Sequence, residues 1–223
     1  MTSPQRSAVI RDSLGVGIAV GAYGFAFGAA SVAAGLSVLQ SCLLSLFAFT
    51  GGTQFAVVGV IAGGGGVGAA LASGLLLGSR NTLYAMRLAP LLQVRGPRRL
   101  LAALGTIDES TAMAVGHADP RDARTAFWWT AGGVFVFWNL STLIGALLGS
   151  LVDPTDFGLD AVVPAAFLAL LAPRLRSGAV EKRVAFGGAA IAAVLVPFTP
   201  PGVPVLAATA ALLLATDLRR VRR

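Results

Sequence analysis

The sequence predicts an all-α fold, a polytopic transmembrane helical bundle of about six or seven membrane segments, at least one of them broken or re-entrant. Hydrophobic residues make up 56% of the 223-residue chain and charged residues only 12%, far below the quarter or so found in soluble domains. Apolar stretches of about 20 residues recur along the chain, each long enough to cross a hydrocarbon core of roughly 30 Å. Glycines and polar residues interrupt the second stretch, which predicts the break.

The apolar segments are delimited by clusters of glycine, proline and charge. They cover residues 14–34, 38–62, 67–92, 125–150, 158–173, 184–198 and 201–216. The polar start of the chain leads into the first segment without a small-residue cleavage site, so we expect a signal anchor rather than a removed signal peptide. Residues 1–223 are predicted to form a single transmembrane domain.

The longest polar stretch, about 93–124, separates the third segment from the fourth. Leu100, Leu101, Leu104 and Ile107 follow helical spacing within it. We therefore predict a cytoplasmic loop or a short amphipathic helix at the membrane surface.

Orientation follows from where the basic residues gather, because positive charge is retained on the cytoplasmic side. Four groups flank the segments: Arg6 and Arg11; Arg95, Arg98, Arg99, Arg121 and Arg124; Arg174, Arg176, Lys182 and Arg183; Arg219, Arg220, Arg222 and Arg223. All four are predicted to be cytoplasmic, while the loop 151–160, which carries three aspartates and no basic residue, suits the outside. Residues 125–216 then make four crossings.

Three apolar segments lie before residue 93, between the chain start and a basic cluster that are both predicted to be cytoplasmic. A chain that starts and ends on the same side must cross an even number of times, so three full crossings do not fit. The second segment is the best candidate for a broken or re-entrant helix, because Thr50, Gly51, Gly52, Thr53 and Gln54 interrupt it near mid-depth. The alternative is seven ordinary spans with the two chain ends on opposite sides.

Several functional classes receive no support. The net charge of +7 sits at segment ends, where it interacts with lipid head groups, so no nucleic-acid binding is expected. Cys42 is the only cysteine, and the chain has no Walker A sequence, metal-ligand cluster or Ser/His/Asp arrangement. We expect neither an enzyme nor a bound cofactor. Arginine, alanine and glycine are abundant, which fits coding from a GC-rich bacterial genome. We expect the chain to lie in a bacterial cytoplasmic membrane.

Small residues predict where helices touch. Gly17, Gly21, Gly24 and Gly28 fall on one face, and Gly74/Gly78 and Gly145/Gly149 form further pairs four residues apart. Phe127, Trp128 and Trp129 at the start of a span are typical of an interfacial aromatic belt.

Arg80 lies at the middle of the 67–92 segment, where a charged side chain costs about 2.5–3.5 kcal/mol on the insertion scale. Tyr84 and Arg87 share its helix face at i+4 and i+7, with Asn81 beside it. Two explanations stay open: Arg80 pairs with a carboxylate or with carbonyls for structural reasons, or it contacts an anionic group of a substrate.

The Gly51-Gly52-Thr53-Gln54 break suggests a second element of a binding site. An unwound helix exposes N–H groups, which suit a carboxylate, at one half-helix and carbonyls, which suit an ammonium, at the other. Together they would hold a zwitterionic amino acid; the alternative is a glycine-rich packing notch. Asp108 and Glu109 are interpreted as surface or helix-start residues, or else as proton-coupling carboxylates.

At these residues the chain resembles the AzlC-like family of branched-chain amino acid exporters, in its large permease subunit. Gly24 to Phe55 looks like the first two family segments with their AG-x-SQF signature, and Gly74 to Pro90 is similar to N-x-RH-x-LY-x-x-x-LAP. Ile107 to Ala114 matches TDE-x-x-A-x-A. The family Asn is Gly78 here and the family His is Asn81, so a proton-relay role of that histidine does not carry over.

The resemblance implies export of valine, leucine, isoleucine and methionine by a secondary transporter that has a separate small membrane subunit of the AzlD type. By position, Gln54, Arg80, Tyr84, Asp108 and Glu109 carry over. We predict substrate binding at Arg80, Tyr84, Asn81, Gly51, Gly52, Thr53 and Gln54, with coupling through Asp108 and Glu109. The alternatives are a solute channel and a non-transporting assembly subunit of a membrane complex.

Overall fold

The computed structural model describes residues 3–151, 175–200 and 202–215, together with positions 165, 168, 171 and 172. Within this part of the chain the secondary structure is helical and contains no strand. The α-helices are α1 (Ser3–Gly21), α2 (Tyr23–Ala33), α3 (Val38–Phe47), α4 (Gly51–Ala62), α5 (Val67–Gly78), α6 (Arg80–Leu92), α7 (Arg98–Leu104), α8 (Asp108–Val115), α9 (Pro120–Gly149), α10 (Ala179–Leu195) and α11 (Val203–Ala208). A 3-10 turn, Thr209–Leu212, follows α11.

Among the described residues, two helical stretches are long and apolar enough to cross a membrane: Arg6–Ala33, which combines α1 and α2, and Pro120–Gly149, which is α9. The predicted glycine face joins them: a Cβ on Gly17 would lie 2.9 Å from the backbone of Gly133, and one on Gly28 would overlap the backbone of Thr142. Gly145 meets the backbone of Phe25 in the same interface. The prediction that these glycines are packing devices is therefore confirmed.

The second apolar segment is broken, as predicted, but the break lies at residues 48–50 rather than at 50–54. Thr50 has an extended backbone (φ −159°, ψ 109°) and caps α4, whose first turn begins at Gly51. The amide of Gln54 already donates to the carbonyl of Thr50 at 3.0 Å. The prediction was wrong because it took the glycines as the unwound residues, whereas Gly51 allows close approach: its Cβ would lie 2.9 Å from the Trp138 ring.

The third segment consists of α5 and α6, separated only by Ser79. This residue keeps helical dihedral angles (φ −58°, ψ −28°), and its hydroxyl donates to the carbonyl of Leu76 at 2.6 Å. Gly74 of α5 faces Val57 and Thr53 of α4, and Gly78 faces Thr53. The predicted small-residue pair thus joins α5 to α4.

The 93–124 region contains two short helices, α7 and α8, and the turn between them packs inside the bundle. Helix α7 ends at Leu104, and α8 begins at Asp108. A Cβ on Gly105 would lie 2.9 Å from the Cβ of Ala131, and Ile107, 3% exposed, belongs to a buried cluster with Val134 near the middle of α9. Residues 98–115 therefore form a helix-turn-helix unit, the α7–α8 hairpin, whose tip packs against the middle of α9. The tip can be buried because it satisfies its own polar groups, as described below.

Phe127 was predicted to lie in an interfacial belt, and this too was wrong. Its side chain is fully buried in a second cluster with Leu88, Leu92, Ala102 and Ala114. Phe127 therefore packs α9 against α6 and the α7–α8 hairpin, while Trp129 remains 43% exposed.

The C-terminal part of the described chain contains α10 and α11, which fall on the predicted 184–198 and 201–216 segments and pack against each other. Gly202 joins this pair to α4 and α5 through Val60 and Ala69. The predicted 158–173 segment, the acidic loop 151–160 and the last arginines lie mostly or wholly outside the described residues. The number of crossings and the placement of the chain ends stay predictions.

Candidate functional site

Arg80 and Asp108 form an ion pair where helix ends meet. Arg80 is the first residue of α6 and Asp108 the first residue of α8. The Nη2 atom of Arg80 lies 2.7 Å from Oδ2 of Asp108, and the hydroxyl of Tyr84 donates to Oδ1 at 2.7 Å. The predicted Arg80–Tyr84 face thus converges on one carboxylate. Each side chain of the ion pair keeps 37% of its surface accessible.

The first turn of α4 lies against the same guanidinium. A Cβ on Gly52 would come within 3.2 Å of the Arg80 Nη2 atom, a distance that leaves almost no room for a side chain. The side chain of Thr50 makes no hydrogen bond to the first turn of α4. The backbone amides of Gly51 and Gly52 in that turn therefore keep their capacity to donate beside Arg80. We call Arg80, Tyr84, Asp108 and this first turn the Arg80 site.

Three polar atoms of this region are buried without a hydrogen-bond partner in the described chain. They are Oγ1 of Thr53, Nε of Arg80 and Oδ1 of Asn81. Thr53 is only 6% exposed and belongs to the first turn of α4. Because an unpaired buried polar atom costs about 1–3 kcal/mol, this group is arranged to accept further partners. The set contains both donors and an acceptor.

Gln54 was predicted to contact substrate, but its side chain is already committed to protein partners. It is fully buried, its Nε2 donates to the carbonyl of Ser45 at 3.2 Å, and its Oε1 accepts from Nε1 of Trp138 at 2.9 Å. Ser45 belongs to the last turn of α3, where carbonyls lack helical partners. Gln54 thus ties both half-helices of the break to α9.

Glu109 follows Asp108 in the first turn of α8 and is half-buried. With Arg80 as the one cation of this group, ionised Asp108 and Glu109 leave a net charge of −1. The place of both acids at a helix start agrees with the sequence interpretation and with the helix dipole, but they face the bundle rather than the surface.

Sequence reasoning did not identify Trp138 as part of the site. Its indole donates to Gln54 and its ring packs on Gly51, so it holds the first turn of α4 at the residue next to Gly52, which faces Arg80. Gln54 and Trp138 lie 84 positions apart. No local pattern signals such a pair; only an amphipathic aromatic residue at mid-span, which needs a partner for its N–H, points to it.

Comparison with known proteins agrees with the geometry. The AzlC protein family matches residues 15–152. The chain is 27% identical to the inner membrane protein YgaZ of Escherichia coli K12 over 170 residues, which are 72% of this chain and 69% of YgaZ. It is 30% identical to an uncharacterized membrane protein of Archaeoglobus fulgidus over 196 residues, 86% of each chain. No solved structure matches. Since the family match covers more than half of the chain and all the helix ends at the Arg80 site, the chain belongs to the AzlC family of membrane proteins.

Proposed function

We propose that this chain is the large permease subunit of a secondary transporter that exports branched-chain amino acids and methionine across a bacterial cytoplasmic membrane. A small membrane subunit of the AzlD type would complete it. Family membership makes membrane transport the expected activity; the substrate, the direction and the second subunit are part of the proposal. The observation that supports it best is the Arg80–Asp108 ion pair at the first turn of α4.

The charges of the Arg80 site suit a zwitterion. A solute carboxylate would accept from Arg80 and from the amides of Gly51 and Gly52, where the positive end of α4 adds to the attraction. A solute ammonium would be held by Glu109. The net charge of −1 favours one additional cation, either this ammonium or a proton that couples transport to a gradient.

The accessible part of the ion pair supports a path for solute. A charge near mid-depth that faced hydrocarbon would cost about 2.5–3.5 kcal/mol, yet each partner keeps 37% of its surface accessible. A wet cavity or a second protein subunit must therefore cover this opening. Both are compatible with a two-subunit transporter.

An apolar substrate side chain would find neighbours at the same level. Phe49 at the break, Ile107 at the hairpin tip and Trp138 belong to one buried apolar cluster. Such contacts distinguish one methylene by only about 1–3 kcal/mol. We therefore expect overlapping transport of valine, leucine, isoleucine and methionine rather than a single substrate.

Efflux from dipeptide-loaded cells that lack their own exporters tests the proposal. This chain would be expressed with and without its small subunit, and the four amino acids would be measured outside the cells. The Arg80→Ala variant should lose efflux, whereas Arg87→Ala, which removes an exposed arginine seven residues along the same helix, should retain it. Equal efflux from Arg80→Ala at matched membrane expression would refute the role of Arg80.

The two alternatives give different results in the same cells. A solute channel would let the amino acids equilibrate but would not move them against a gradient. An assembly subunit would do neither, and its loss would lower the amount of a partner protein in the membrane.

A further inference from the structure

We propose that Asp108 is an internal stand-in for the substrate carboxylate, and that its displacement by substrate frees the α7–α8 hairpin to move during transport. This inference rests on the proposed function, since it concerns the same site. It adds the identity of the mobile element and the reason why substrate binding would set it in motion.

The competition follows from the chemistry of the ion pair. Arg80 Nη2 contacts a carboxylate oxygen of Asp108 at 2.7 Å, and an amino acid offers the same carboxylate group. The two cannot take the same donor in the same direction, because a guanidinium presents its N–H groups in a fixed planar fork. A substrate carboxylate must therefore displace Asp108 or bind less well beside it.

The place of Asp108 in the fold turns this exchange into a motion. Asp108 opens α8 immediately after the hairpin tip, residues 105–107. Its two oxygens bond Arg80 and Tyr84, both on α6. These bonds link the hairpin to α6, so loss of the Arg80 bond removes a charged anchor of the tip.

The tip itself is braced from within and would move as one piece. The hydroxyl of Ser110 donates to the carbonyl of Gly105 and accepts from the amide of Ile107, and the hydroxyl of Thr106 donates to the carbonyl of Ala102 at 2.7 Å. These bonds lie within the hairpin and do not depend on Arg80. Its contacts with α9 are made largely by small or apolar groups, such as Ala114 against Phe127, which carry no directional bond to break.

The freed Asp108 carboxylate would then be available at the same level as the solute. It can take a proton, which keeps the local charge balanced when a second carboxylate arrives at Arg80. Binding and hairpin release are thereby linked, because the substrate takes the Arg80 N–H group that Asp108 gives up. A ligand shifts a conformational equilibrium only if it binds one state more tightly than the other. Here the substrate carboxylate binds more tightly to the state in which Asp108 has left Arg80.

Two variants test the proposal in purified protein with its small subunit. Asp108→Asn removes the competing charge but keeps the shape, so leucine should bind at least about fivefold more tightly, because the apparent Kd is the intrinsic Kd divided by the fraction of molecules with a free site. Transport in proteoliposomes should nevertheless fall. A merely structural role for Asp108 would weaken binding or leave it unchanged, and that result would overturn the proposal.

The second variant locks the hairpin. Gly105→Cys is combined with Ala131→Cys in a Cys42→Ser background. The two Cβ atoms would lie 2.9 Å apart, so a small outward shift of the tip brings them to the roughly 3.5–4.5 Å that a disulfide spans. Oxidation, verified by loss of thiol labelling, should reduce leucine transport at least tenfold, and reductant should restore it; the Gly105→Cys single variant is the control. Full transport by the cross-linked protein would overturn the proposal. Wild-type protein that binds none of the four amino acids would instead refute the proposed function.

Discussion

The hydrogen bond between Trp138 and Gln54 allows a quantitative test of how the helix break is held. Trp138→Phe removes the indole donor and leaves the fully buried Oε1 of Gln54 unpaired, which should cost about 1–3 kcal/mol of the free energy of unfolding. Gln54→Leu leaves both the indole N–H and the Ser45 carbonyl without their partner, so it should cost more than Trp138→Phe.

The double variant separates the bond from the packing around it. In the double variant neither side chain leaves an unpaired partner behind. Its cost should therefore be smaller than the sum of the two single costs by about 0.6–1.7 kcal/mol, the average and the largest value measured for hydrogen bonds between membrane helices. Unfolding is followed by far-UV circular dichroism, which does not depend on a tryptophan signal, in mixed micelles with an increasing fraction of denaturing detergent. This gives the free energy of unfolding of the wild type, the two single variants and the double variant. Additivity of the two costs within about 0.5 kcal/mol would refute the bond as a coupling element.

Three further predictions concern the same helices. Gly28→Ala should lower the free energy of unfolding by about 1–3 kcal/mol, because the added methyl meets the backbone of α9, which cannot rotate away. Gly15→Ala is the control: a Cβ there has no atom within 4 Å, so the measured free energy of unfolding should not fall. Tyr84→Phe should lose about 1 kcal/mol, since the bond to Asp108 is charge-assisted but half-buried, and a loss indistinguishable from zero would contradict the geometry. Gly52→Ala should keep stability, because alanine favours the helix by up to about 1 kcal/mol, while transport falls as the methyl displaces the guanidinium; unchanged efflux would count against contact between α4 and the ion pair.

Much of the fold could be predicted because its determinants are local. Apolar length and glycine spacing act within one segment, so the apolar segments within the described residues and the packing role of the glycines agree with the structure. The Arg80–Tyr84 face is likewise a property of one helical turn. Mid-span charge is costly wherever it occurs, which is why Arg80 stood out before its partner was known.

The rest depended on contacts between distant residues. The carboxylate that pairs with Arg80 comes from a stretch whose composition is typical of a surface loop, and composition cannot show that Ser110 and Thr106 satisfy the polar groups of the hairpin tip. The glycines after Thr50 were equally compatible with unwinding and with close packing. Their use was decided by the Trp138 ring, which lies in α9.

The sequence by itself therefore determined that this protein lies in the membrane, where most of its segments run, and that Arg80 needs a partner, because burial of apolar surface and the cost of charge depend on residue type. Only the tertiary structure decided which carboxylate pairs with Arg80 and that the tip of residues 98–115 packs inside the bundle. It also decided that the side chain of Gln54 bonds to Ser45 and Trp138. Those outcomes depend on which polar groups remain unpaired after the helices have packed, and pairing is a property of the assembled bundle.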